Sequence, residues 1–252
     1  MEEIKHGALT LELREGEYTV TGCDKDVTEV IVPVRVEGIP VVEIGENAFD
    51  GCGALRRVIF EEPTDDDIIE GAELKEIGEY AFNYCVSLKE IELPFTVWTI
   101  RRGAFYGCTA LKKVTFSRIA SVGAYAFCRC KSLVEVTPIS GYISEGAFSM
   151  CESLERLPIC DGTRVIEEDA FEHCYALKRV IIPKSVERIE SLAFRSCRGL
   201  KSVSFQRVDG WWSRNRYREN DVKIDVSSPT KNAESLSRMD FDDGVSAWYI
   251  KK

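Results

Sequence analysis

The chain has 252 residues, of which 44% are apolar and 30% are charged, as in ordinary globular proteins. Its formal net charge of −9 argues against non-specific nucleic-acid binding, because that binding needs a basic face. Apolar runs stay well short of the roughly 20 residues that a membrane-spanning helix requires, so no membrane insertion is predicted.

The N-terminal residues, MEEIKHGALTLELREGEYTV, lack the basic start and apolar core of a signal peptide. The chain as given is therefore predicted to be cytoplasmic, or to lie at the cell surface or be secreted if a signal peptide was removed. A strand-like hairpin is predicted from Glu17 onward, and residues 1–26 are assigned to an N-terminal cap. Val27, Val30 and Val32 then form an imperfect copy of the repeat described next.

Residues 27–208 repeat one phrase: an Ile or Val, a Phe five residues later, a Cys three after that and a Leu three further on. The phenylalanines are Phe49, Phe82, Phe105, Phe127, Phe148, Phe171 and Phe194. Successive phenylalanines are 33, 23, 22, 21, 23 and 23 residues apart. A period in the low twenties predicts a solenoid, here one partial and seven full repeats, whose coils share one core.

Within one repeat, LKEIELPFTVWTIRRGAF, the alternating apolar residues predict a one-sided strand that Pro94 ends. A short helical turn is predicted to begin at Gly103. The inward strand position recurs as Val58, Ile91, Val114, Val136, Leu157, Val180 and Val203. The repeated cysteines are predicted to be reduced core thiols, because free cysteine behaves as a small buried hydrophobe. Cys23, Cys128 and Cys160 fall outside that row and are predicted to be the exposed thiols.

The phrase stops after Phe205, and residues 209–252 are assigned to a C-terminal cap. This segment is rich in aromatic residues, namely Trp211, Trp212, Tyr217, Trp248 and Tyr249. They are interpreted as a lid on the last coil, since an uncovered core end would leave a large apolar patch. The alternative is an aromatic platform for a ligand.

The phrases LKEIELPFTVWTIRRGAFYGC and LKRVIIPKSVERIESLAFRSC resemble the BspA-type leucine-rich repeats, and the resemblance covers roughly residues 16–252. It implies an α/β fold: a right-handed leucine-rich-repeat solenoid with a parallel β-sheet on the concave face and short helices or turns opposite. Members of this family are mostly bacterial, and several are surface adhesins that bind host matrix proteins or other cells. This chain departs from them in showing no signal peptide and no wall-anchoring motif.

The outward strand positions of the repeats are the predicted partner surface. Its candidate residues are Arg57, Lys89, Glu90, Lys112, Lys113, Glu135, Arg156, Lys178 and Arg179. The position just before the first outward strand residue of each repeat is mostly basic, although the protein is acidic. It is occupied by Arg56, Lys89, Lys112, Val134, Glu155, Lys178 and Lys201. The functional interpretation is a cationic stripe that suits an acidic partner. The alternative is a solvated sheet face whose charges keep the strands soluble.

The sequence gives little support for metal binding, catalysis or nucleic-acid binding. Segment 61–73 carries several carboxylates that could gather calcium, but the EF-hand spacing is absent, so a mobile acidic loop is the alternative. The chain has two histidines, His6 and His173, too few for a paired zinc site. The pair His173 and Cys174 is adjacent in sequence, yet the cysteine is expected to point inward. Nucleic-acid binding by Arg214, Arg216, Tyr217 and Arg218 is weakly indicated. No cofactor is predicted.

The predicted function is therefore a non-catalytic protein–protein interaction module that binds an unknown protein on the concave face. The alternative is a bacterial surface adhesin that binds a host-surface protein, such as a matrix protein, or carbohydrate. Neither interpretation predicts an enzyme.

Overall fold

A computed structural model describes residues 2–117, 121–156, 158–215, 221–238 and 245–250. The first strands are β1 (Glu2–His6), β2 (Leu9–Arg14), β3 (Glu17–Cys23), β4 (Glu29–Val32), β5 (Arg35–Val36), β6 (Ile39–Ile44) and β7 (Arg57–Phe60). The short helix α1 (Asp65–Ile69) follows β7. The next strands are β8 (Glu76–Ile77), β9 (Glu90–Glu92), β10 (Thr99–Ile100), β11 (Lys113–Thr115), β12 (Ser121–Val122), β13 (Glu135–Val136), β14 (Tyr142–Ile143), β15 (Val165–Ile166), β16 (Arg179–Ile182), β17 (Arg188–Glu190), β18 (Ser202–Phe205), β19 (Trp211–Asn215) and β20 (Val222–Lys223). The chain then forms helix α2 (Pro229–Ser237) and strand β21 (Val245–Ile250).

A long sheet runs the length of the molecule and joins all the coils. Its central strands β6, β8, β10, β12, β14, β15 and β17 are parallel, with one short strand from each coil. Ile44 pairs with Ile77, and Ile77 in turn pairs with Ile100, so equivalent residues of successive coils lie over one another. The predicted β-solenoid with a parallel sheet is confirmed, and the position five before each phenylalanine forms this sheet.

The strand row that carries the candidate partner residues is a second, interrupted sheet. Among the described residues it consists of three pieces: β4 with β7, then β9 with β11 and β13, and finally β16 with β18. The α1 insertion separates the first piece from the second. Between β13 and β16 there is an isolated bridge from Ile139 to Ile159. Leu157, which was predicted to hold the inward position here, lies outside the described residues.

The segment around each phenylalanine is a chain of turns and not the short helix that the sequence suggested. The residues two before and two after each ladder phenylalanine have positive φ in every full coil; Tyr80 and Tyr84, at 52° each, flank Phe82. An α-helix needs negative φ throughout, so two left-handed residues in five stop it. The described helices, α1 and α2, lie in the insertion and in the C-terminal segment.

The seven ladder phenylalanines stack ring on ring through the interior. Neighbouring ring centroids lie 4.7 to 5.5 Å apart and the ring planes differ by at most 14°. Each side chain is at most 1% exposed. This is the core that the sequence period predicted, and like atoms lie over like atoms from Phe49 to Phe194.

The cysteine row binds each coil to the one before it. From Cys85 onward, every ladder thiol donates to the carbonyl of the phenylalanine one coil earlier, with sulfur–oxygen distances of 3.0 to 3.2 Å. The same carbonyl accepts the backbone N–H of the cysteine in its own coil, as Phe49 accepts from Cys52 at 3.0 Å. The ten cysteines are all free thiols, as predicted.

The prediction of three exposed thiols outside the row is wrong for two of them. Cys23 is 8% exposed and Cys128 is 7% exposed, and Cys160 is half-buried. Cys23 is the last residue of β3, and its side chain contacts that of Cys52. Cys23 is therefore covered within the N-terminal hairpin. Cys128 lies beside Ser149 of the next coil.

Both ends of the phenylalanine column are covered. At the N-terminus, β1, β2 and β3 form an antiparallel meander, and β3 pairs with β6 in parallel. At the other end, Trp211 and Trp248 pack on Phe205, with ring centroids 4.9 and 6.1 Å away, and both are buried. The buried Asn232 of α2 donates to the carbonyl of Val203 at 2.9 Å, which fastens α2 to the last coil.

Candidate functional site

The residues predicted to form the partner surface lie along the interrupted strand row, and we call them the charged face. The charged face comprises Arg57, Lys89, Glu90, Lys112, Lys113, Glu135, Arg156, Lys178 and Arg179. All are exposed except Lys113, which is half-buried. The inward residues that alternate with them are buried, for example Ile91, Val114 and Val180. A dry interior thus fixes the backbone of every strand that presents a charge.

Some charges on the strands of the N-terminal half of this face have oppositely charged neighbours. Arg57 lies 3.5 Å from Glu29, and Lys113 lies 3.6 Å from Glu135. Glu90 stands in register beside Lys113 on the neighbouring strand. Opposite charges at adjacent strand positions stabilise the sheet modestly.

The remaining basic residues of the charged face make no ion pair within the described part of the chain. Lys89 and Lys112 stack on successive coils, where the N–H of Lys112 donates to the carbonyl of Lys89 at 2.7 Å. Arg156, Lys178 and Arg179 lie further along the same face. Exposed cations without an ion pair among the described residues can attract and orient an acidic partner.

The acidic segment 61–73 contains α1, and two of its carboxylates pair with an arginine. Thr64 caps the helix in a reciprocal capping box with Asp67. Asp67 and Glu70 contact Arg35 at 2.8 and 2.6 Å. The Arg35 guanidinium and the Thr64 hydrogen bonds lower the pKa of Asp67 to about 2. Over the residues that the structure describes, no group of three or more His, Cys, Asp or Glu side chains is arranged to hold a metal ion.

The repeat phrase and the stacked geometry agree with one known sequence pattern. The profile of the BspA-type leucine-rich repeat region matches residues 16–137, 42–177 and 138–209, in six copies. The chain belongs to the BspA-type leucine-rich repeat family. No curated protein matches it significantly.

Solved leucine-rich repeat structures resemble this BspA-type chain. A leucine-rich repeat protein from T. pallidum is 27% identical, with a TM-score of 0.56 over 80% of this chain and 81% of that one. A leucine-rich cell surface protein from Faecalibacterium prausnitzii is 20% identical, with a TM-score of 0.56 over 91% of this chain and 62% of that one. The likeness supports the leucine-rich-repeat fold. Within the described ranges of the BspA-type chain, no helix is long and apolar enough to cross a membrane.

The residues considered for catalysis are used for structure. The thiol of Cys174 points inward to the carbonyl of Phe148 at 3.2 Å. His173 lies on the turn surface, with Nδ1 3.2 Å from the Tyr175 hydroxyl and Nε2 3.4 Å from Glu172. The sequence neighbours His173 and Cys174 therefore do not form a nucleophile–base pair. His6 is exposed on β1.

The C-terminal basic cluster is described only in part. Arg214 lies over the ring of Tyr249, 5.0 Å from its centroid, and 3.5 Å from Asp221. Arg216, Tyr217 and Arg218 lie outside the described residues. The described member of the cluster thus contacts its own chain.

Sequence reasoning missed a row of aromatic and arginine side chains on the turn surface. Arg129 lies over the ring of Tyr106, and Arg102 lies over that of Tyr125, at 5.7 and 5.3 Å. Tyr125 donates to Glu145, and that hydrogen bond together with burial raises the pKa of Tyr125 to about 12. The signal in the sequence is a tyrosine one or two residues before or after several of the ladder phenylalanines.

Proposed function

We propose that the chain is a non-catalytic protein-interaction module that binds a partner protein through the charged face. The observation that carries this proposal is the set of exposed basic side chains without an ion pair among the described residues, held by a backbone that the packed interior fixes. Membership of a leucine-rich repeat family supports it, because such solenoids use their extended strand surfaces for binding. The partner that fits is an acidic protein.

Affinity capture with matched charge variants tests this function. The bait is the full chain, presented to native lysate and, separately, to host extracellular matrix. We expect specific proteins to be recovered by the wild-type chain and by Lys223→Glu/Lys231→Glu, whose charges lie on β20 and α2, outside the residues that define the charged face. Recovery by Lys89→Glu/Lys112→Glu, which changes the net charge equally, should fall at least tenfold. Capture from the matrix alone would favour the adhesin alternative.

Two results would count against the proposal. One is the absence of any specific partner from both sources. The other is equal recovery by the two double variants, since that would place binding away from Lys89 and Lys112. Circular dichroism spectra that match those of the wild-type chain serve as the folding control, because all four lysines are exposed.

A further inference from the structure

The charged face contains a groove where its strand row is interrupted between β13 and β16. Two hollows of about 400 and 590 Å³ adjoin one another there, and Glu155 and Arg156 border both. In every other described coil from β4 onward, the corresponding residues form a strand. In this coil the corresponding residues are 156–158, of which Leu157 lies outside the described residues and Pro158 has no N–H to donate to a strand ladder. The described backbone here makes an isolated bridge from Ile139 to Ile159.

The groove combines an apolar floor with a basic rim. Ile181 is 60% exposed, and Ile159 lines the same hollow. Arg156, Lys178 and Arg179 surround them and make no ion pair with any described residue, while Glu155 is the single acidic residue lining that hollow. Glu135, which pairs with Lys113, lines the adjoining hollow. Arg57 and Lys113 of the N-terminal half have carboxylate partners, whereas the three cations around Ile181 have no ion-pair partner among the described residues.

We propose that this groove binds an extended segment of a partner protein in which acidic side chains flank an aliphatic one. The proposal rests on the proposed function and names the partner's chemistry. Guanidinium groups at the rim bind carboxylates in two-pronged geometry, and the aliphatic side chain covers the exposed face of Ile181. The groove spans two steps between coils, each of about 4.8 Å. About three residues of an extended chain cover the same length.

A second copy of the chain is the competing occupant. Its α1 segment has the same chemistry, because Ile69 is 82% exposed and lies between the carboxylates of Asp65, Asp66 and Glu70. This segment follows β7, three coils before the groove, so one molecule's α1 would have to enter the groove of another. The experiment must therefore distinguish binding of a partner protein from self-association.

Selection of random octapeptides displayed on phage against the full chain tests the groove. We expect the enriched peptides to carry an Ile, Leu or Val with Asp or Glu on both sides. By fluorescence anisotropy, the best enriched peptide should bind Arg156→Glu/Arg179→Glu at least tenfold more weakly than the wild-type chain. Ile181→Ser should weaken binding severalfold, and Lys223→Glu/Lys231→Glu should leave it unchanged within twofold.

The groove assignment is overturned if no peptide is enriched, if enriched peptides are basic or lack an aliphatic residue, or if the arginine variant binds them equally. Sedimentation velocity addresses the second copy: concentration-dependent association that both Arg156→Glu/Arg179→Glu and Asp65→Lys/Asp66→Lys abolish would assign the groove to another copy. Proteins captured by Arg156→Glu/Arg179→Glu but lost with Lys89→Glu/Lys112→Glu would uphold the proposed function and refute the groove.

Discussion

A thiol suits the cysteine position of each coil because the position needs both an apolar volume and one weak donor. The phenylalanine carbonyl of the preceding coil has a second lone pair, and the S–H group reaches it at 3.0 to 3.2 Å. Alanine would fill less space, and valine would place a methyl group against the carbonyl. The thiol hydrogen bond therefore adds a second link between neighbouring coils beside the backbone one, in which a phenylalanine N–H donates to an alanine carbonyl of the next coil, as Phe49 does to Ala81 at 2.7 Å.

The buried thiols predict a loss of stability at alkaline pH. Burial raises the pKa of Cys128 to about 11 and that of Cys197 to about 12, from 9.0 for a free thiol, and it raises those of Cys108, Cys151 and Cys174 as well. At these five positions the unfolded chain thus loses thiol protons first as the pH rises. The stabilisation that these thiols contribute is complete below about pH 9 and falls toward pH 11–12, by at most about 1.4 kcal/mol per pH unit and thiol.

Urea unfolding at pH 8, 9 and 10 measures this dependence. Cys151→Ala should show a shallower fall than the wild-type chain between pH 9 and 10, because one buried thiol is gone. Cys160→Ala serves as the matched control, since Cys160 is half-buried and makes none of the ladder bonds. A free energy of unfolding that stays constant from pH 8 to 10 would contradict the prediction.

At the residue scale, the sequence predicts what recurs and misses what occurs once. The burial of the phenylalanine and cysteine rows follows directly from their period. Cys23 and Cys128 occur outside that period, so the sequence placed them at the surface. Tertiary contacts bury them instead, Cys23 against Cys52 and Cys128 against the next coil. A period cannot reveal such contacts, because they depend on which side chains meet between coils.

At the scale of the elements, each coil turns at two left-handed residues, and aromatic rings in these positions constrain the following coil. The rings of Tyr80, Tyr84 and Tyr125 occupy the space where a Cβ of Gly103, Gly107 or Gly146 would lie, at 2.3 to 2.7 Å. A tyrosine in one coil is thus followed by a glycine at the same position of the next. The alternation is present in the sequence, but the contact between coils was not predicted because short helices were expected at these positions.

A double-mutant cycle on Tyr80 and Gly103 tests this coupling. Gly103→Ala should cost about 2–5 kcal/mol, since the new Cβ clashes with the ring and φ is 60° there. In a Tyr80→Asn background the cost should fall to the backbone strain alone, because asparagine tolerates the left-handed region and lacks the ring. Urea denaturation of the four proteins gives the coupling energy.

Gly51 provides the control for this cycle. It has a φ of 65°, and a Cβ there would meet nothing within 4 Å, so Gly51→Ala reports backbone strain without a clash. We expect the cost of Gly51→Ala to match that of Gly103→Ala in the Tyr80→Asn background. Equal costs for Gly103→Ala with and without the tyrosine ring would show that the two coils are not coupled through it.

At the scale of the whole molecule, stability comes from contacts between neighbouring coils, because a single coil buries too little surface to fold alone. The sequence predicted this architecture almost completely, since the period defines the coils and the Ile–Phe–Cys–Leu phrase defines their interior. It did not predict that the charged face is interrupted. The described residues of that interruption, Arg156 and Pro158, flank Leu157, which lies outside the described residues. Pro158 has no N–H for a ladder bond, so the sequence contained a signal here that the regular period concealed.

The packing of C-terminal aromatic residues on the last coil predicts that the solenoid opens first at its C-terminal end when one of them is removed. Trp211 is 1% exposed and packs on Phe205, so Trp211→Ala should cost about 3–5 kcal/mol, whereas Trp98→Ala should stay within about 0.5 kcal/mol because Trp98 is 59% exposed. Since each coil contacts only its neighbours, the loss should concentrate at the C-terminal end. Native-state hydrogen exchange should show faster exchange at Val203 and Phe205 and little change at Phe49. Equal acceleration at both ends would mean that the coils unfold as one unit and that Trp211 is not a local lid.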